Sequence, residues 1–286
     1  MSFPGDSAFR AERTYTHRHR SVADKDRITR LIAQLPRLSS SQILAIENIV
    51  AQFNRPFNFT RNPESDLVSE CVLREFGDAL RIHHCFSSEP FTKDKFEYAL
   101  EKVCNLCDVP AVRAPRGNPG HDLTIASVPF SLKTQADASI RTDEIHISKF
   151  MELGRGEWGD KVSDLTGLRD RFFYHMRNYQ RILTLRRLRE RGCHLYELVE
   201  IPKDLLLAAS TGQFEMMSAS KQFPKPGYCT VTDPAGRIKY QLYFDGGTER
   251  KLQIKRLGKE FCIVHATWKF GEGLAAPHIE EGILTP

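Results

Sequence analysis

The sequence predicts an α/β protein, in which helices flank a central mixed β-sheet. Apolar residues recur at helical spacing through much of the first 110 residues, which indicates amphipathic helices. A strand at 195–201 is followed by a short helix and by further strands, an order that favours an α/β sheet. The last 60 or so residues consist of alternating apolar runs between turn signals, which predicts a β-rich C-terminal region.

The first 60 residues are predicted to be a basic arm followed by a helical segment. Residues 1–20 lack a strong periodic pattern, whereas 22–34 place apolar residues at helical spacing before the helix-stopping Pro36. Ser39 and its two serine neighbours offer an N-cap to a second helix at 41–53. This pair is either a packing layer or a helix-turn-helix that enters a DNA groove.

The remaining elements follow a linker predicted at 54–63. The helices are predicted at 64–80, 92–107, 143–153 and 161–191, with a short one from Pro202 to Ala209. The strands are predicted at 109–112, 123–128, 131–134, 195–201, 228–232, 238–244, 251–254 and 261–268. We expect three regions, which are the N-terminal segment at 1–60, a core at 61–215 and the β-rich region at 216–286.

Composition and length indicate a globular protein. A chain of 286 residues with 41% hydrophobic and 27% charged residues can form one large domain or two modest ones. No apolar run approaches eighteen residues, and the N-terminus lacks an apolar signal core. We therefore expect a cytoplasmic protein that does not engage membranes.

The formal net charge of +5 permits contact with nucleic acid without requiring it. The basic residues are clustered, so each cluster is either a phosphate-contacting surface or a solvated face. The clusters are Arg10, Arg13, Arg18 and Arg20; Arg177, Arg181, Arg186, Arg187, Arg189 and Arg191; and Lys251, Lys255, Arg256 and Lys259.

The chain has seven cysteines, an odd number, and no visible secretion signal, so we do not expect disulfides. Cys104 and Cys107 have the spacing of a zinc-binding pair. They also lie within a predicted helix, where residues three apart share a buried stripe. The sequence leaves zinc binding open.

The stretch 119–135 carries the strongest chemical signal. Asp122 opens a short apolar run, after a turn signal at 118–120, and Ser131 and Lys133 close the run. Residues two apart on a strand share a face, so a hairpin would bring Asp122 beside Lys133. A carboxylate that holds Mg²⁺ next to a lysine is an arrangement for phosphodiester hydrolysis. The alternative is an ordinary turn aspartate and a solvated strand face.

These residues resemble the PD-(D/E)xK motif of type II restriction endonucleases. Asp122 matches the first acid, with two residues inserted after the proline, and Ser131-Leu132-Lys133 matches the second part. Serine stands where the family usually has an acid. The resemblance implies a restriction-endonuclease-like core at 61–215, Mg²⁺ as cofactor, and sequence-specific hydrolysis of double-stranded DNA by metal-activated water, with Lys133 assisting.

The resemblance also implies further site residues. Family members with Ser-x-Lys take the missing carboxylate from the following helix, which would be Glu144 in the predicted helix 143–153, with Glu152 or Asp143 as alternatives. An additional metal-binding glutamate often precedes the motif, and Glu70 fits it. Ser131 would be a bystander or a supporting hydrogen-bond donor.

The expected partners are double-stranded DNA and, on family grounds, a second copy of the chain. A two-stranded ribbon around the turn at 245–250 would read bases in the major groove, or would be a solvated hairpin covering a core. The candidate DNA-binding residues are Lys239, Arg250, Lys251, Gln253 and Lys255 in the ribbon, and Arg177 and Arg181 outside it.

Two other functions remain open at this stage. One is a nuclease that recognises DNA structure, such as a fork or junction, in repair or recombination. The other is a non-catalytic DNA-binding protein built on the two N-terminal helices and the basic clusters.

Overall fold

The computed structural model of the chain describes residues 22–115, 120–136, 140–154 and 158–272. The predicted basic arm at 1–20 and residues 118 and 119 of the predicted turn lie outside these ranges. No helix in the described ranges is long and apolar enough to cross a membrane.

The order of elements confirms an α/β protein. The helices are α1 (Val22–Gln34), α2 (Ser40–Asn54), α3 (Glu70–Phe86), α4 (Lys93–Leu106), α5 (Val162–His175) and α6 (Lys203–Leu207). The first strands are β1 (Phe57–Arg61), β2 (Ala111–Arg113), β3 (Leu123–Ile125), β4 (Val128–Gln135), β5 (Glu144–Glu152) and β6 (Arg181–Glu190). The later strands are β7 (Cys193–Glu200), β8 (Gln213–Met216), β9 (Gly227–Thr232), β10 (Ile238–Asp245), β11 (Lys251–Gly258) and β12 (Ile263–Gly271).

Seven strands form the central sheet in the order β1-β12-β7-β6-β4-β3-β2. β4 and β6 run parallel and the other neighbours run antiparallel, so the sheet is mixed, as predicted. One face packs on α3 and α4, where Leu132, Leu183 and Leu198 share a buried cluster with Phe76 and Phe96. Alternation along β4 turns Ser131 and Lys133 to the opposite face.

A second sheet, in the order β5-β11-β10-β9-β8, is antiparallel. Its buried residues, such as Leu242 and Ile254, form a cluster with Phe172 of α5 and with Ile182 and Val199 of the central sheet. The face of β4 that carries Lys133 is therefore oriented toward α5 and the second sheet, and this layering positions the site described below.

The two N-terminal helices occur where the sequence predicts them. Ser39 caps α2 in a capping box with Gln42, whose side chain accepts the Ser39 N–H at 2.9 Å. Several large apolar side chains on these helices remain exposed, and they are Leu31, Ile32, Ile43, Leu44 and Val50.

The predicted strand at 123–128 is interrupted by the turn Ala126-Ser127, which separates β3 from β4. Three further predicted elements are wrong in type or extent. The region 143–153 is not a helix, because Glu144–Glu152 forms β5 and pairs with β11. The region 161–191 is not one helix, since α5 ends at His175 and a strand, β6, begins at Arg181. The predicted linker at 54–63 contains β1. In each case pairing with a strand distant in sequence decides the backbone conformation, which local spacing does not reveal.

The predicted helix at 64–80 is displaced toward the C-terminus. Ser69 accepts the Val72 N–H at 3.2 Å and caps α3, so the helix begins at Glu70. The preceding residues form a loop in which Ser65 Oγ accepts the N–H groups of Leu67 and Val68.

The expectation of no disulfides is also wrong, because Cys71 and Cys107 are bonded and join the start of α3 to the end of α4. Cys104 is a buried free thiol. Among the described residues no three His, Cys, Asp or Glu side chains group as metal ligands, so Cys104 and Cys107 are not placed in a zinc site.

Candidate active site

The hairpin of β3 and β4 brings the predicted acid and lysine together. Its two-residue loop, Ala126-Ser127, has φ values of 46° and 69°, as a type I′ turn requires. Leu123 pairs with Phe130, and the Asp122 N–H donates to the Phe130 carbonyl at 2.8 Å. This register places Asp122 next to the Ser-Leu-Lys segment of β4.

The Asp122 carboxylate is held by its neighbours on β4. Oδ2 accepts the Leu132 N–H at 2.6 Å and the Ser131 hydroxyl at 3.2 Å. Lys133 Nζ lies 4.0 Å from the same oxygen, and the exposed fractions of the Asp122 and Lys133 side chains are 19% and 11%. The structure therefore contains a fixed carboxylate and an ammonium group side by side, largely shielded from water.

Aromatic residues enclose this pair on the side of α5. The Phe150 ring centroid lies 5.4 Å from Lys133 Nζ, and the Phe150 ring packs against His175 at 6.3 Å. Burial lowers the pKa of His175; the Lys133 ammonium acts in the same direction and the Asp122 carboxylate opposes it. Burial raises the pKa of Tyr179, and Asp122 raises it further.

Sequence reasoning missed His175 and Tyr179 because both fall in a stretch read as one long helix with a buried stripe. The available signal was Asn178, a helix-terminating residue type directly before Tyr179. A helix that ends there leaves the next segment free to pair with β4.

The described contacts do not join the Glu144 carboxylate to Asp122 or Lys133. Its carboxylate lies 3.3 Å from Arg141 Nη1, and its backbone carbonyl accepts from Arg186. The β5 residue with a described contact to Lys133 is Phe150, six residues further along the strand.

The two alternative acids, Glu152 and Asp143, form ion pairs with nearby basic side chains. Glu152 is paired with Lys149 at 2.8 Å, and Asp143 is paired with Arg141 at 3.0 Å. Both carboxylates are largely exposed. Neither has a described contact with the Asp122 hairpin.

Glu70 is the first residue of α3 and is 70% exposed, with Arg61 Nη1 at 3.9 Å. It follows the loop that carries Ser65 and Asp66. No described contact joins Glu70 to Asp122 or Lys133.

Arg181, a predicted DNA-binding residue, belongs to a polar network at the start of β6. Its guanidinium donates to Glu200 Oε1 at 3.0 Å and to Asp66 Oδ2 at 2.8 Å. Glu200 also contacts His265 Nε2 at 2.8 Å, and His265 Nδ1 contacts Ser65 Oγ at 2.8 Å. Arg181 thus joins the loop before α3 to the central sheet.

Carboxylates in this network are kept ionised. Burial alone would raise the pKa of Glu200, but hydrogen bonds from His265 and Arg181 outweigh it and hold the pKa below its usual value. The hydrogen bond from Arg181 likewise lowers the pKa of Asp66. Two carboxylates, those of Glu200 and Asp66, therefore bind the Arg181 guanidinium.

The predicted ribbon exists as the β10–β11 hairpin. Lys255 Nζ lies 3.7 Å from the Tyr243 ring centroid, and Gln253 Nε2 donates to Asp245 at 3.1 Å. These side chains alternate with the buried Leu252 and Ile254, so they form the outer face of the second sheet.

The other predicted DNA contacts lie around this ribbon or in the turn that follows α5. Lys251 pairs with Glu249 at 3.1 Å, and Arg250 has a φ of 41° in the turn. Lys239 lies over the Phe261 ring, and Arg177, which is exposed, lies over the Tyr174 ring.

The donors at the hairpin fit a hard cation. An ionised carboxylate and a hydroxyl are oxygen ligands, and Mg²⁺ in proteins is often held by one or two carboxylates, with water and phosphate oxygens completing its coordination. Asp122 and Ser131 supply such atoms, and Lys133 provides a second positive group for a phosphate.

Comparison with known proteins defines the class. Residues 31–270 match the family of SmaI type II site-specific deoxyribonucleases, and the chain belongs to this family. It is 47% identical over 207 residues to the type II restriction enzyme SmaI of Serratia marcescens, an alignment that covers 72% of this chain and 82% of that enzyme. No solved structure matches the chain.

The protein is therefore a type II site-specific deoxyribonuclease, an enzyme that acts on DNA in a sequence-specific manner. The resemblance seen in the sequence is confirmed. The family favours this function over the structure-specific nuclease and the non-catalytic DNA-binding protein.

Proposed function

We propose that the protein cleaves double-stranded DNA in a Mg²⁺-dependent reaction at the β3–β4 hairpin, with Asp122 and Lys133 as the central residues. The observation that carries this proposal is the 4.0 Å separation of Lys133 Nζ and Asp122 Oδ2. Within a family of DNA-hydrolysing enzymes, a shielded carboxylate and ammonium pair with this spacing is suited to phosphodiester hydrolysis.

The hairpin prepares the carboxylate for a cation. Leu132 N–H and Ser131 Oγ both bind Oδ2, which fixes the orientation of the Asp122 side chain without neutralising its charge. Asp122, supported by Ser131, would hold the Mg²⁺. When bound, Mg²⁺ lowers the pKa of water and offsets negative charge on the phosphate.

Lys133 binds and orients the reacting groups. Its ammonium donates a hydrogen bond to a phosphate oxygen or to the attacking water, and it stabilises the negative charge that develops as the bond to water forms. Phe150 and His175 limit access of bulk water to this ammonium, which strengthens its interaction with the phosphate.

The proposal assigns no metal-binding role to Glu144, because its carboxylate is engaged with Arg141. Glu70 is exposed at the start of α3 and remains available to the DNA-bound enzyme. Substitution of Glu70 by glutamine tests that role separately from the central pair.

The central test replaces Asp122 by asparagine and Lys133 by methionine. Each variant is expected to lose cleavage by on the order of 100- to 1,000-fold or more, because a group that stabilises transition-state charge is removed. Cleavage of unmodified DNA is measured in gels with and without Mg²⁺, and DNA binding is measured by mobility shift in Ca²⁺.

The matched controls are Asp170→Asn and Lys221→Met, which remove the same charges from exposed positions elsewhere. They should cleave as the wild type does. Near-normal cleavage by Asp122→Asn or Lys133→Met would place the hydrolytic site elsewhere in the protein.

We further propose that the enzyme acts as a homodimer. A two-fold symmetric protein matches a palindromic site and positions one hydrolytic site on each strand. The exposed apolar side chains of α1 and α2, including Leu31, Ile32 and Leu44, offer a surface that a second copy would cover.

The outer face of the β10–β11 hairpin is the proposed DNA-reading surface. It carries a lysine, a glutamine and two aromatic rings, and ribbons with such side chains fit the major groove. Lys255 Nζ lies over the rings of Tyr243 on β10 and Tyr228 on the neighbouring β9.

A further inference from the structure

Tyr179 is a buried tyrosine whose hydroxyl has no hydrogen-bond partner among the described residues. Its side chain is 1% exposed. The backbone at this position is well fixed, because the Tyr179 carbonyl accepts from Lys203 Nζ at 2.9 Å. Buried hydroxyl groups are nearly always paired, so an unpaired one needs a physical explanation.

Two other buried tyrosines in the described part of the chain have paired hydroxyl groups. The Tyr240 hydroxyl donates to the Leu206 carbonyl at 2.8 Å. The Tyr196 hydroxyl contacts His84 Nε2 at 2.9 Å and accepts the Phe91 N–H at 3.1 Å. Of these three tyrosines, the one with an unpaired hydroxyl is Tyr179, which lies near the hydrolytic pair.

Two independent contacts place the segment of Tyr179 next to the strand and the aromatic residues that surround the pair. The Gln180 N–H donates to the Pro129 carbonyl at 2.9 Å, which joins the segment to β4 just before Ser131. The Tyr179 ring packs edge-on against His175 at 5.4 Å, within the aromatic wall around Lys133.

The charge of Asp122 agrees with this placement. Asp122 is close enough to Tyr179 to raise the pKa of the phenol in addition to the effect of burial. The phenol therefore stays protonated at neutral pH and retains its O–H as a donor.

We infer that Tyr179 is a further residue of the cleavage site, and that its O–H donates to an oxygen atom held beside Asp122 in the DNA complex. This oxygen belongs to water or to a non-bridging position of the scissile phosphate. The inference rests on the proposed function, since it assumes that Asp122 and Lys133 form the hydrolytic site. Tyr179 stabilises negative charge that develops on that oxygen.

The test uses Tyr179→Phe, which removes only the hydroxyl, and Tyr240→Phe as the matched control. Tyr179→Phe should lower the single-turnover cleavage rate by roughly 10- to 100-fold, the effect of losing a hydrogen bond to a charged group. The KM and the mobility-shift Kd for DNA should stay unchanged, and the Tm should stay equal or rise, because an unpaired buried hydroxyl is removed.

Tyr240→Phe should show the opposite pattern. It loses a hydrogen bond that is made in the folded protein, so its Tm should fall by about 2–4 °C, while its cleavage rate should match the wild type. A Tyr179→Phe protein whose cleavage is normal, or whose Tm falls like that of the control, would overturn the inference.

Phosphorothioate substrates identify the oxygen. If Tyr179 contacts the phosphate, sulfur at one of the two non-bridging positions should shrink the defect of Tyr179→Phe, because sulfur accepts hydrogen bonds poorly. If it contacts water, the defect should be the same for both diastereomers. Normal cleavage by Tyr179→Phe together with an inactive Asp122→Asn refutes only this inference, whereas an active Asp122→Asn refutes the proposed function.

Discussion

At the scale of single residues, the most informative position is Ser131, which stands where related nucleases usually have an acid. Ser131 is 2% exposed, and its hydroxyl donates a hydrogen bond to the Asp122 carboxylate. A second carboxylate at this buried position, next to Asp122, would suffer like-charge repulsion and desolvation. The serine therefore supports the carboxylate that remains.

Replacing Ser131 by alanine tests this role. One of the two hydrogen bonds to Asp122 Oδ2 is lost and the Leu132 N–H remains, so we expect the single-turnover rate to fall by about tenfold. Ser148→Ala, at an exposed position of β5, is the control. A Ser131→Ala enzyme as fast as this control would show that the backbone N–H alone holds the carboxylate.

Asp122 and Lys133 were predictable because their neighbourhood depends on one short hairpin. The alternation of β4 is a local property of the sequence. The position of the turn, Ala126-Ser127, was not predictable, because residues 123–128 read as one strand. His175 and Tyr179 were not predictable in the same way, since their approach depends on parallel pairing between β4 and β6, which are separated by more than forty residues.

At the scale of elements, β5 shows why the spacing of apolar residues led to the incorrect prediction of a helix. Its apolar residues, including Ile145, Ile147 and Phe150, fit a helical spacing as well as an interrupted alternation. The register of β5 against β11 shifts between Ile147 and Met151, and this bulge produces the mixed pattern. A bulge depends on the partner strand, which no local window contains.

A histidine pair between α3 and β7 gives the fold a predicted sensitivity to acid. His84 and His194 stack at 3.7 Å between ring centroids, beside Arg187 and His83. Burial and then His194 lower the pKa of His84 to about 3, while burial and Arg187 lower that of His194 to about 4. Burial also lowers the pKa of His83.

The direction in which the free energy of unfolding changes with pH follows from proton uptake by the unfolded chain. Both imidazoles are neutral in the folded protein, whereas unfolded histidines bind protons below about pH 6.5. The free energy of unfolding should be nearly flat above that value and should decrease as the pH falls toward about 4, by up to about 1.4 kcal/mol per pH unit for each histidine.

Urea unfolding at several pH values measures this slope. His194→Phe keeps an aromatic ring in the stack and removes one titrating group, so its slope between pH 6 and pH 4.5 should be shallower than that of the wild type. Equal slopes would mean that other groups control the acid sensitivity.

The β10–β11 hairpin makes a separate prediction about recognition. Lys255→Ala should weaken binding to all DNA sequences and reduce the slope of log Kd against log salt by about one, because a phosphate contact is lost. Gln253→Ala should mainly reduce discrimination between the cognate site and sites that differ by one base pair. Lys102→Ala, on α4, is the charge-matched control.

Competition mobility-shift assays separate these effects. The hairpin is not the reading surface if both variants bind cognate and mismatched DNA as the control does.

At the scale of the whole molecule, the arrangement of layers was predictable and the sheet order was not. The sequence indicates a helical segment before an α/β core and a β-rich region after it. It does not indicate that β12 pairs with β1 and β7, more than 60 residues away along the chain. Such pairings depend on the hydrophobic face of a complete sheet.

The proposed homodimer is a property of the whole molecule. Light scattering after gel filtration should give twice the mass of one chain at concentrations that support cleavage. Leu31→Asp combined with Leu44→Asp should give the mass of one chain, because charges then replace exposed apolar contacts on α1 and α2.

Val112→Asp is the control, since Val112 is also an exposed apolar residue but lies on β2. It should remain dimeric. A wild-type enzyme that cuts both strands while it is monomeric would contradict the proposal.

The place of β12 has a consequence for synthesis of the enzyme. Ile263–Gly271 follows all the other strands in the described chain, yet it lies inside the central sheet, between β1 and β7. A nascent chain that stops before this segment presents two unpaired strand edges, and its central sheet is split. The central sheet therefore assembles completely only after β12 has been synthesised.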